Sequence, residues 1–194
     1  MTPDIDAWQP WHPRQVAERL AGVGVPWYVA GGWAIDLHLG GGLREHEDLE
    51  IAVPRERFAP VAGRFPELAF YAVGDGRVVP ATPAALDEQY QTWAYDTAAD
   101  VWRFDVFREP HDGDVWVSRR DARLRRPYGE IVRTDSAGIP YLSPEVVLLF
   151  KAKHRRPKDE QDYAAVAPGL TPSEREWLDA ALRLVHPGHP WTGG

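Results

Sequence analysis

A pair of glycines between an apolar strand and an apolar helix constrains the fold more than any other feature of this sequence. Residues 26–30 are predicted to form a buried strand, and Gly31 and Gly32 follow it directly. Residues 33–39 are predicted to form a short helix, which Gly40 ends. Glycines at the start of a helix leave backbone N–H groups open to an anion, and the helix dipole favours a phosphate there. The pattern therefore predicts a strand–turn–helix unit with a phosphate site at its turn.

Two acids on the next predicted strand, residues 48–53, extend this site. Asp48 and Glu50 are separated by one residue, Leu49, so their side chains share one face of a strand. Adjacent carboxylates repel each other unless a cation lies between them. A third acid, Asp105, lies inside the predicted strand 101–107, where a buried acid is costly without a cation or hydrogen bonds. The three acids predict a metal-bound nucleotide site; the alternative is that Asp48 and Glu50 are solvated residues at a strand edge.

Composition limits the class of protein. The 194 residues are 44% hydrophobic, which is enough for a sizeable core in one ordinary domain. The net charge of −7 disfavours broad nucleic-acid binding and suits a small cationic substrate, or it only aids solubility. The sequence contains no run of eighteen apolar residues, so it predicts no membrane-spanning helix. Because cysteine is absent and the first residues lack the regions of a signal peptide, we expect a cytoplasmic protein.

The predicted secondary structure changes near residue 142 from mixed strands and helices to helices alone. Residues 1–142 alternate predicted strands and helices and are expected to form an α/β domain. Residues 143–194 are expected to form a small helical region packed on it. Ser-Pro-Glu at 143–145 is a typical helix start, with a capping hydroxyl, a proline at the first position and an acid in the first turn. Thr-Pro-Ser-Glu at 171–174 fits a capping box for a further helix.

The order and spacing of these motifs resemble the DNA polymerase β-like nucleotidyltransferase superfamily. Within it, they are most similar to the aminoglycoside 2″-nucleotidyltransferases and the related lincosamide nucleotidyltransferases. The residues that carry the resemblance are Gly-Gly-Trp-Ala-Ile-Asp-Leu at 31–37, Arg-x-His-x-Asp-Leu-Glu at 44–50, Phe-Asp-Val-Phe at 104–107, Tyr-Leu-Ser-Pro-Glu at 141–145, Lys-Ala-Lys at 151–153 and Lys-Asp-x-x-Asp at 158–162.

This resemblance implies a fold, an activity and a set of ligands. The implied fold is a mixed β-sheet nucleotidyltransferase core with flanking helices. The implied reaction transfers a nucleoside monophosphate from ATP, or from another nucleoside triphosphate, to a drug hydroxyl and releases pyrophosphate. Asp48, Glu50 and Asp105 are implied ligands of two Mg²⁺ ions, and Asp105 is also a candidate general base. Gly31 and Gly32 would face the triphosphate. Many superfamily members have Gly-Ser at the glycine pair and Asp at the position of Glu50.

Four basic residues are further candidates for contacts with the nucleotide. Arg44 and His46 precede the acidic strand and would contact phosphate, the alternative being an exposed loop charge. Lys151 and Lys153 end an apolar helix, where a lysine also stabilises the helix C-terminus. Because residues two apart lie on different helix faces, only one of these lysines is expected to face the site.

The acceptor is expected to be a small, cationic hydroxyl compound such as an aminoglycoside, with antibiotic resistance as the implied role. Glu88, Tyr95, Asp100 and Trp102 are candidates to line its pocket, because acids pair with ammonium groups and aromatic rings stack on sugar faces. The sequence leaves both monomer and homodimer open.

Two alternative functions remain at this stage. A toxin or regulator that modifies tRNA or protein would share the fold, and the basic stretch 119–126 would contact its acidic partner, although a solvated face is the favoured interpretation of that stretch. A non-catalytic nucleotide-binding protein is the other alternative, and the intact Asp48, Glu50 and Asp105 argue against it.

Overall fold

The computed structural model describes residues 3–193 and is built around one large mixed sheet. The strands are β1 (Tyr28–Val29), β2 (Glu50–Pro54), β3 (Leu68–Gly74), β4 (Arg77–Pro80), β5 (Gln91–Asp96), β6 (Val101–Glu109), β7 (His111–Asp112), β8 (Val115–Val117), β9 (Arg125–Pro127), β10 (Val132–Thr134) and β11 (Pro140–Leu142). The helices are α1 (Pro13–Leu20), α2 (Gly31–Leu39), α3 (Phe58–Ala62), α4 (Pro83–Glu88), α5 (Tyr128–Ile131), α6 (Pro144–Lys151), α7 (Pro157–Val166) and α8 (Pro172–Val185).

The large sheet has the strand order β10-β11-β1-β2-β6-β5-β3-β4. The pairs β1–β11 and β2–β6 are parallel, and the other neighbours are antiparallel. Strands β7, β8 and β9 form a second, small antiparallel sheet. The predicted mixed sheet with flanking helices is confirmed.

Two predicted element boundaries are wrong by two residues. The acidic strand begins at Glu50, so Asp48 lies in the loop before β2. Helix α2 begins at Gly31, earlier than the predicted residue 33, because Gly31 turns the chain with a φ of +59°. The backbone N–H of Ala30 donates to the carbonyl of Glu50 at 2.8 Å, which fixes the start of the helix beside the acidic strand.

The hydrophobic core extends across both parts of the predicted division. Residues 146–149 of α6 are fully buried against the sheet and against α2 and α8, because the helix is apolar on all sides. Each fully buried aliphatic side chain of this kind stabilises the fold by roughly 1.5–3 kcal/mol. The division at residue 142 into a core and a helical region stays a prediction. In the part of the chain that the structure describes, no helix is long and apolar enough to span a membrane.

The N-terminal segment, defined here as residues 4–11, adds to the sheet beside the first residues of β6. The N–H of Gln9 donates to the carbonyl of Trp102 at 3.0 Å, and the N–H of Trp102 donates to the carbonyl of Ala7 at 2.8 Å. Trp8 and Trp102 form an isolated parallel bridge. These bonds place the segment next to the first residues of β6, which precede the pairing of β6 with β2 at Asp105.

The pairing of β5 with β6 contains a bulge at Arg103. Ala94 pairs with Phe104, but Tyr95 pairs with Trp102, so Arg103 has no partner on β5. The extra residue shifts the alternation of side chains along β6. As a result Trp102 lies on the same face as Trp93, with ring centroids 5.2 Å apart.

Candidate active site

Two of the three predicted acids, Glu50 and Asp105, meet across the parallel pair β2–β6, and Asp48 lies in the loop before β2. Glu50 is in register with Asp105, and the N–H of Asp105 donates to the carbonyl of Leu49 at 2.8 Å. Asp105 is 4% exposed, whereas Asp48 is exposed in the loop before β2. The Gln91 side-chain amide donates to Asp105 Oδ2, and Oδ1 has no hydrogen-bond partner within residues 3–193. The buried Oδ1 is therefore an unused acceptor.

Burial and mutual repulsion favour protonation of two of these acids. Burial raises the pKa of Glu50 to about 7, and the nearby Asp48 carboxylate adds to the rise. Burial, and then the charge of Glu50, raise the pKa of Asp105 well above its usual range. A divalent cation would reverse both effects, and carboxylate oxygens are the ligands that Mg²⁺ prefers. No three acidic or histidine side chains of the described residues are already gathered closely enough to hold an ion, so the ligand set stays a prediction.

The raised pKa of Glu50 predicts that the metal-free protein loses stability as the pH rises. Between the unfolded pKa near 4.5 and the folded pKa of about 7, the folded state binds more protons, so its free energy of unfolding falls with increasing pH. Thermal unfolding in EDTA should therefore show a melting temperature that decreases from pH 5 to pH 8. Glu50→Gln should flatten this dependence, and an equal decrease in both proteins would contradict the assignment.

The glycine pair gives the neighbouring side chains room to approach the start of α2. A Cβ atom on Gly31 would lie 1.5 Å from Glu50 Oε2. A Cβ on Gly32 would lie 2.2 Å from Arg44 Nη2 and 2.8 Å from His46 Nδ1. No side chain fits at either position as the site stands, so the glycines allow the backbone to pass close to Glu50.

Arg44 and His46 are held by protein groups beside the site. Arg44 makes two hydrogen bonds to the buried Asp162 carboxylate, at 3.1 and 3.2 Å. The His46 ring stacks on Trp33 with centroids 4.4 Å apart, and its Nε2 is 3.1 Å from Asp36 Oδ2. Burial lowers the pKa of His46, and the Asp36 carboxylate opposes that shift. Both residues order the loop before β2, and their predicted contact with the nucleotide is untested.

Of the two candidate lysines, the structure brings only Lys151 to the site. Its Nζ lies 3.3 Å from Asp159 Oδ1 and 2.6 Å from Asp162 Oδ2, and both acids are fully buried. Asp159 also caps α7 by accepting from the backbone N–H of Arg156 at 3.0 Å. Lys153 is exposed and lines neither of the two clefts described below.

A first cleft, called here the basic cleft, begins at Glu50 and has a volume of about 240 Å³. Its cations come from three elements: Arg119 and Arg120 follow β8, Lys151 ends α6, and Arg156 precedes α7. The other lining residues are Tyr28, Ala30, Gly31, Ala52, Phe107, Glu109, Leu142, Val147, Phe150 and His154. Concentrated positive charge beside aromatic rings suits a nucleoside triphosphate.

The interpretation of stretch 119–126 as a solvated face is wrong for three of its arginines. Arg119 lies 4.2 Å from the ring centroid of Phe107, inside the basic cleft, and Arg120 lines the same cleft. Arg126 donates to the buried Glu145 carboxylate at 2.6 Å. These cations are held in place because aromatic rings and a buried acid are their partners, whereas Arg123 and Arg125 are exposed as expected.

A second cleft, called here the acidic cleft, opens on the other side of Glu50 with a volume of about 760 Å³. Its walls combine five carboxylates with two tryptophans. The lining residues are Ile5, Asp6, Trp8, Pro10, Glu47, Asp48, Glu50, Gln91, Trp93 and Asp105. Trp8 meets Trp93 edge to face with ring centroids 5.1 Å apart. Negative charge beside half-buried tryptophan rings suits a polycationic ligand.

None of the four predicted acceptor residues lines the acidic cleft. Tyr95 and Trp102 are buried behind Trp93, and their own ring centroids are 4.8 Å apart. Asp100 is exposed in the β5–β6 turn and accepts a hydrogen bond from the Tyr95 hydroxyl. Glu88 is exposed at the end of α4. The aromatic pair supports the wall that Trp93 provides, and the two acids lie elsewhere on the surface.

Comparisons with known proteins agree with this fold. A family model described as aminoglycoside-2″-adenylyltransferase matches residues 13–166, whereas no curated protein sequence matches the chain. Two solved structures of the antibiotic-resistance factor ANT(2″)-Ia are similar at 17% identity and cover 88% of this chain. The solution structure has a TM-score of 0.61 and is itself covered to 89%. The crystal structure with adenylyl-2″-tobramycin has a TM-score of 0.60 and is covered to 94%.

A third similar structure is the lincosamide antibiotic adenylyltransferase LnuA, bound to lincomycin, with 14% identity and a TM-score of 0.58 over 83% of this chain and 98% of that one. The family match over residues 13–166 defines the protein as an enzyme, a nucleotidyltransferase. More narrowly, the chain belongs to the aminoglycoside-2″-adenylyltransferase family.

Proposed function

We propose that this enzyme transfers AMP from ATP to a hydroxyl group of an aminoglycoside or a similar polycationic sugar, with Mg²⁺, and releases pyrophosphate. The observation that carries the proposal is the position of Glu50 in the wall of two clefts of opposite charge. The basic cleft suits a triphosphate, and the acidic cleft suits ammonium groups. The two substrates would meet at Glu50 and Asp105.

The proposed step is a displacement at the α-phosphorus of the triphosphate. The acceptor oxygen forms a bond to that phosphorus, and the bond to the β-phosphate breaks, so pyrophosphate leaves with the electron pair. Asp105 would take the hydroxyl proton on Oδ1, its unpaired buried oxygen. Mg²⁺ held by Asp48, Glu50 and Asp105 would neutralise charge on the triphosphate.

Two observations favour a small cationic acceptor over tRNA. First, Asp6, Glu47 and Asp48 line the acidic cleft, and their charge would repel a phosphate backbone. Second, the structurally similar ANT(2″)-Ia has been crystallised with adenylyl-2″-tobramycin. The lincomycin complex of LnuA makes lincosamides a second class of acceptor to test.

A screen of acceptors tests the proposal. The protein is incubated with ATP and Mg²⁺ and with a panel of aminoglycosides, lincomycin or tRNA, and the products are identified by mass spectrometry. We expect an aminoglycoside to gain one AMP with equimolar release of pyrophosphate. Labelling of tRNA with no turnover of any small hydroxyl compound would overturn the proposed acceptor class.

Trp8→Ala tests the wall of the acidic cleft. We expect the KM for the aminoglycoside to rise about tenfold, because a ring face that contacts an ammonium-bearing sugar is lost. The KM for ATP should stay unchanged, since Trp8 does not line the basic cleft. Steady-state kinetics with each substrate varied in turn measure both values. Trp177→Ala on α8 is the matched control, because Trp177 lines neither cleft; equal effects from both substitutions would contradict the role of Trp8.

A further inference from the structure

The N-terminal segment, residues 4–11, supplies a large part of the wall of the acidic cleft. Ile5, Asp6, Trp8 and Pro10 are four of the ten residues that line this cleft. The segment precedes residues 13–166, which the family model matches. These four side chains therefore belong to a part of the chain that does not define the family, and they line the cleft in which we place the acceptor.

Hydrogen bonds hold the backbone of this segment against the sheet on both sides of Asp6. The Trp102 indole N–H donates to the carbonyl of Asp4 at 2.7 Å, and the carbonyl of Trp102 accepts from the N–H of Gln9 at 3.0 Å. Between these two bonds, Asp4 Oδ1 accepts from the N–H of Asp6 at 3.0 Å, and the carbonyl of Asp6 accepts from the N–H of Trp8 at 2.9 Å. The backbone that carries Asp6 is thus fixed before a ligand binds, which lowers the entropy cost of binding.

The Asp6 carboxylate is an acid of the cleft without a protein partner. Asp6 is exposed, and within residues 3–193 its hydrogen bonds are made by its backbone atoms alone. No lysine, arginine or histidine of the described residues lines the acidic cleft. The carboxylate is therefore open to a cation that a ligand brings.

The other four carboxylates of the acidic cleft have partners once the proposed metal ions are bound. The three proposed metal ligands would be neutralised by Mg²⁺. Among them, Asp105 is 4% exposed, and its Oδ1 has no hydrogen-bond partner within residues 3–193. Glu47 Oε2 lies 3.4 Å from Lys158 Nζ. Asp6 is thus the carboxylate of the cleft that remains for an acceptor cation.

We propose that Asp6 is a specificity-determining residue that pairs with an ammonium group of the acceptor, while a sugar ring of the same acceptor packs against Trp8. The inference rests on the proposed function, because it requires the acceptor in the acidic cleft and Mg²⁺ at the three acids. Trp8 follows Asp6 in the same turn, and both side chains line the cleft. A carboxylate beside an aromatic ring suits an amino sugar, since the carboxylate pairs with the charge and the ring covers the sugar face.

Asp6→Asn tests this pairing, because it removes the charge and keeps the shape of the side chain. Tobramycin is titrated in the presence of Mg²⁺ and α,β-methylene-ATP, an analogue that cannot release pyrophosphate, and binding is followed by tryptophan fluorescence. We expect the Kd for tobramycin to rise about fivefold at low salt, the effect of one partly exposed ion pair. The difference should shrink in about 0.5 M NaCl, because salt screens the pair. The Kd for the analogue should stay unchanged, since Asp6 does not line the basic cleft.

Two further variants complete the test. Asp4→Asn is the matched control, because it loses the same charge from the same segment but lies outside both clefts. Its amide oxygen can still accept from the N–H of Asp6, so its Kd for tobramycin should equal that of the wild type. Asp6→Glu keeps the charge and should bind tobramycin within about twofold of the wild type.

The outcomes separate this inference from the proposed function. If the wild type adenylylates tobramycin but Asp6→Asn and Asp4→Asn bind it equally well, the role of Asp6 alone is overturned. A loss in Asp6→Asn that salt does not reduce, or that extends to the ATP analogue, would indicate a structural role and contradict the ion pair. A wild type that transfers AMP to no aminoglycoside overturns the proposed function itself.

Discussion

Asp48→Asn is expected to lower kcat/KM for nucleotidyl transfer by more than about 100-fold, because even partners of metal ligands typically contribute 10–100-fold. The substitution removes a charge that faces Glu50 and Asp105 but keeps the shape of the side chain. Since Asp48 is exposed in a loop, the thermal unfolding midpoint should change little. Pyrophosphate release with ATP and the best aminoglycoside measures the loss.

Asp114→Asn is the control for that substitution. Asp114 is also an exposed loop aspartate, and it lies outside both clefts. Its variant should retain the activity of the wild type. If Asp48→Asn keeps its turnover, the three-carboxylate site is wrong, even if the fold and the acceptor are right.

Gly31→Ala should reduce activity by more than about 100-fold, an effect of the size seen when transition-state charge stabilisation is lost. The new methyl group would occupy the position of Glu50 Oε2, so the carboxylate has to turn away from Asp105. The positive φ of +59° adds roughly 1–2 kcal/mol of backbone strain for a residue with a side chain. Kinetics together with chemical denaturation separate the two effects.

Gly76→Ala isolates the backbone strain. Gly76 lies in the turn between β3 and β4 with a φ of +71°, and a Cβ there would meet no atom within 4 Å. We expect a similar loss of stability and unchanged turnover. Equal catalytic losses in both variants would mean that strain, and not the displacement of Glu50, causes the effect.

The candidate carboxylates can be found from the sequence because the signal depends only on their neighbours in the chain. Glu50 and Asp105 are each embedded in an apolar strand, where an acid stands out from its neighbours. The register that pairs them could not be derived, since it depends on β2 and β6 being parallel neighbours although about fifty residues separate them in the chain. The sequence motif alone therefore identifies the candidate acids and leaves their arrangement open.

The walls of the two clefts were harder to predict, because their residues come from segments without periodicity. Trp8 and Asp6 reach the acidic cleft only because the N-terminal segment pairs with β6 through backbone hydrogen bonds, which carry no side-chain signal. Arg119 and Arg120 belong to a charge run that resembles a solvated surface, and only tertiary packing against Phe107 and Phe150 shows their role. A signal did exist for Glu109, which continues the alternation of Asp105 and Phe107 along one strand.

The bulge at Arg103 divides β6 into two parts whose side-chain faces are set independently. It lies between Asp105, whose position is fixed by β2, and Trp102, whose ring supports Trp93. Inserting one residue between Ala94 and Tyr95 would give Arg103 a partner on β5, leave the carboxylates in register and turn Trp102 to the opposite face of the sheet. A change in the length of β5 at this bulge is thus expected to remodel the aromatic support of the acidic cleft while Glu50 and Asp105 stay in register.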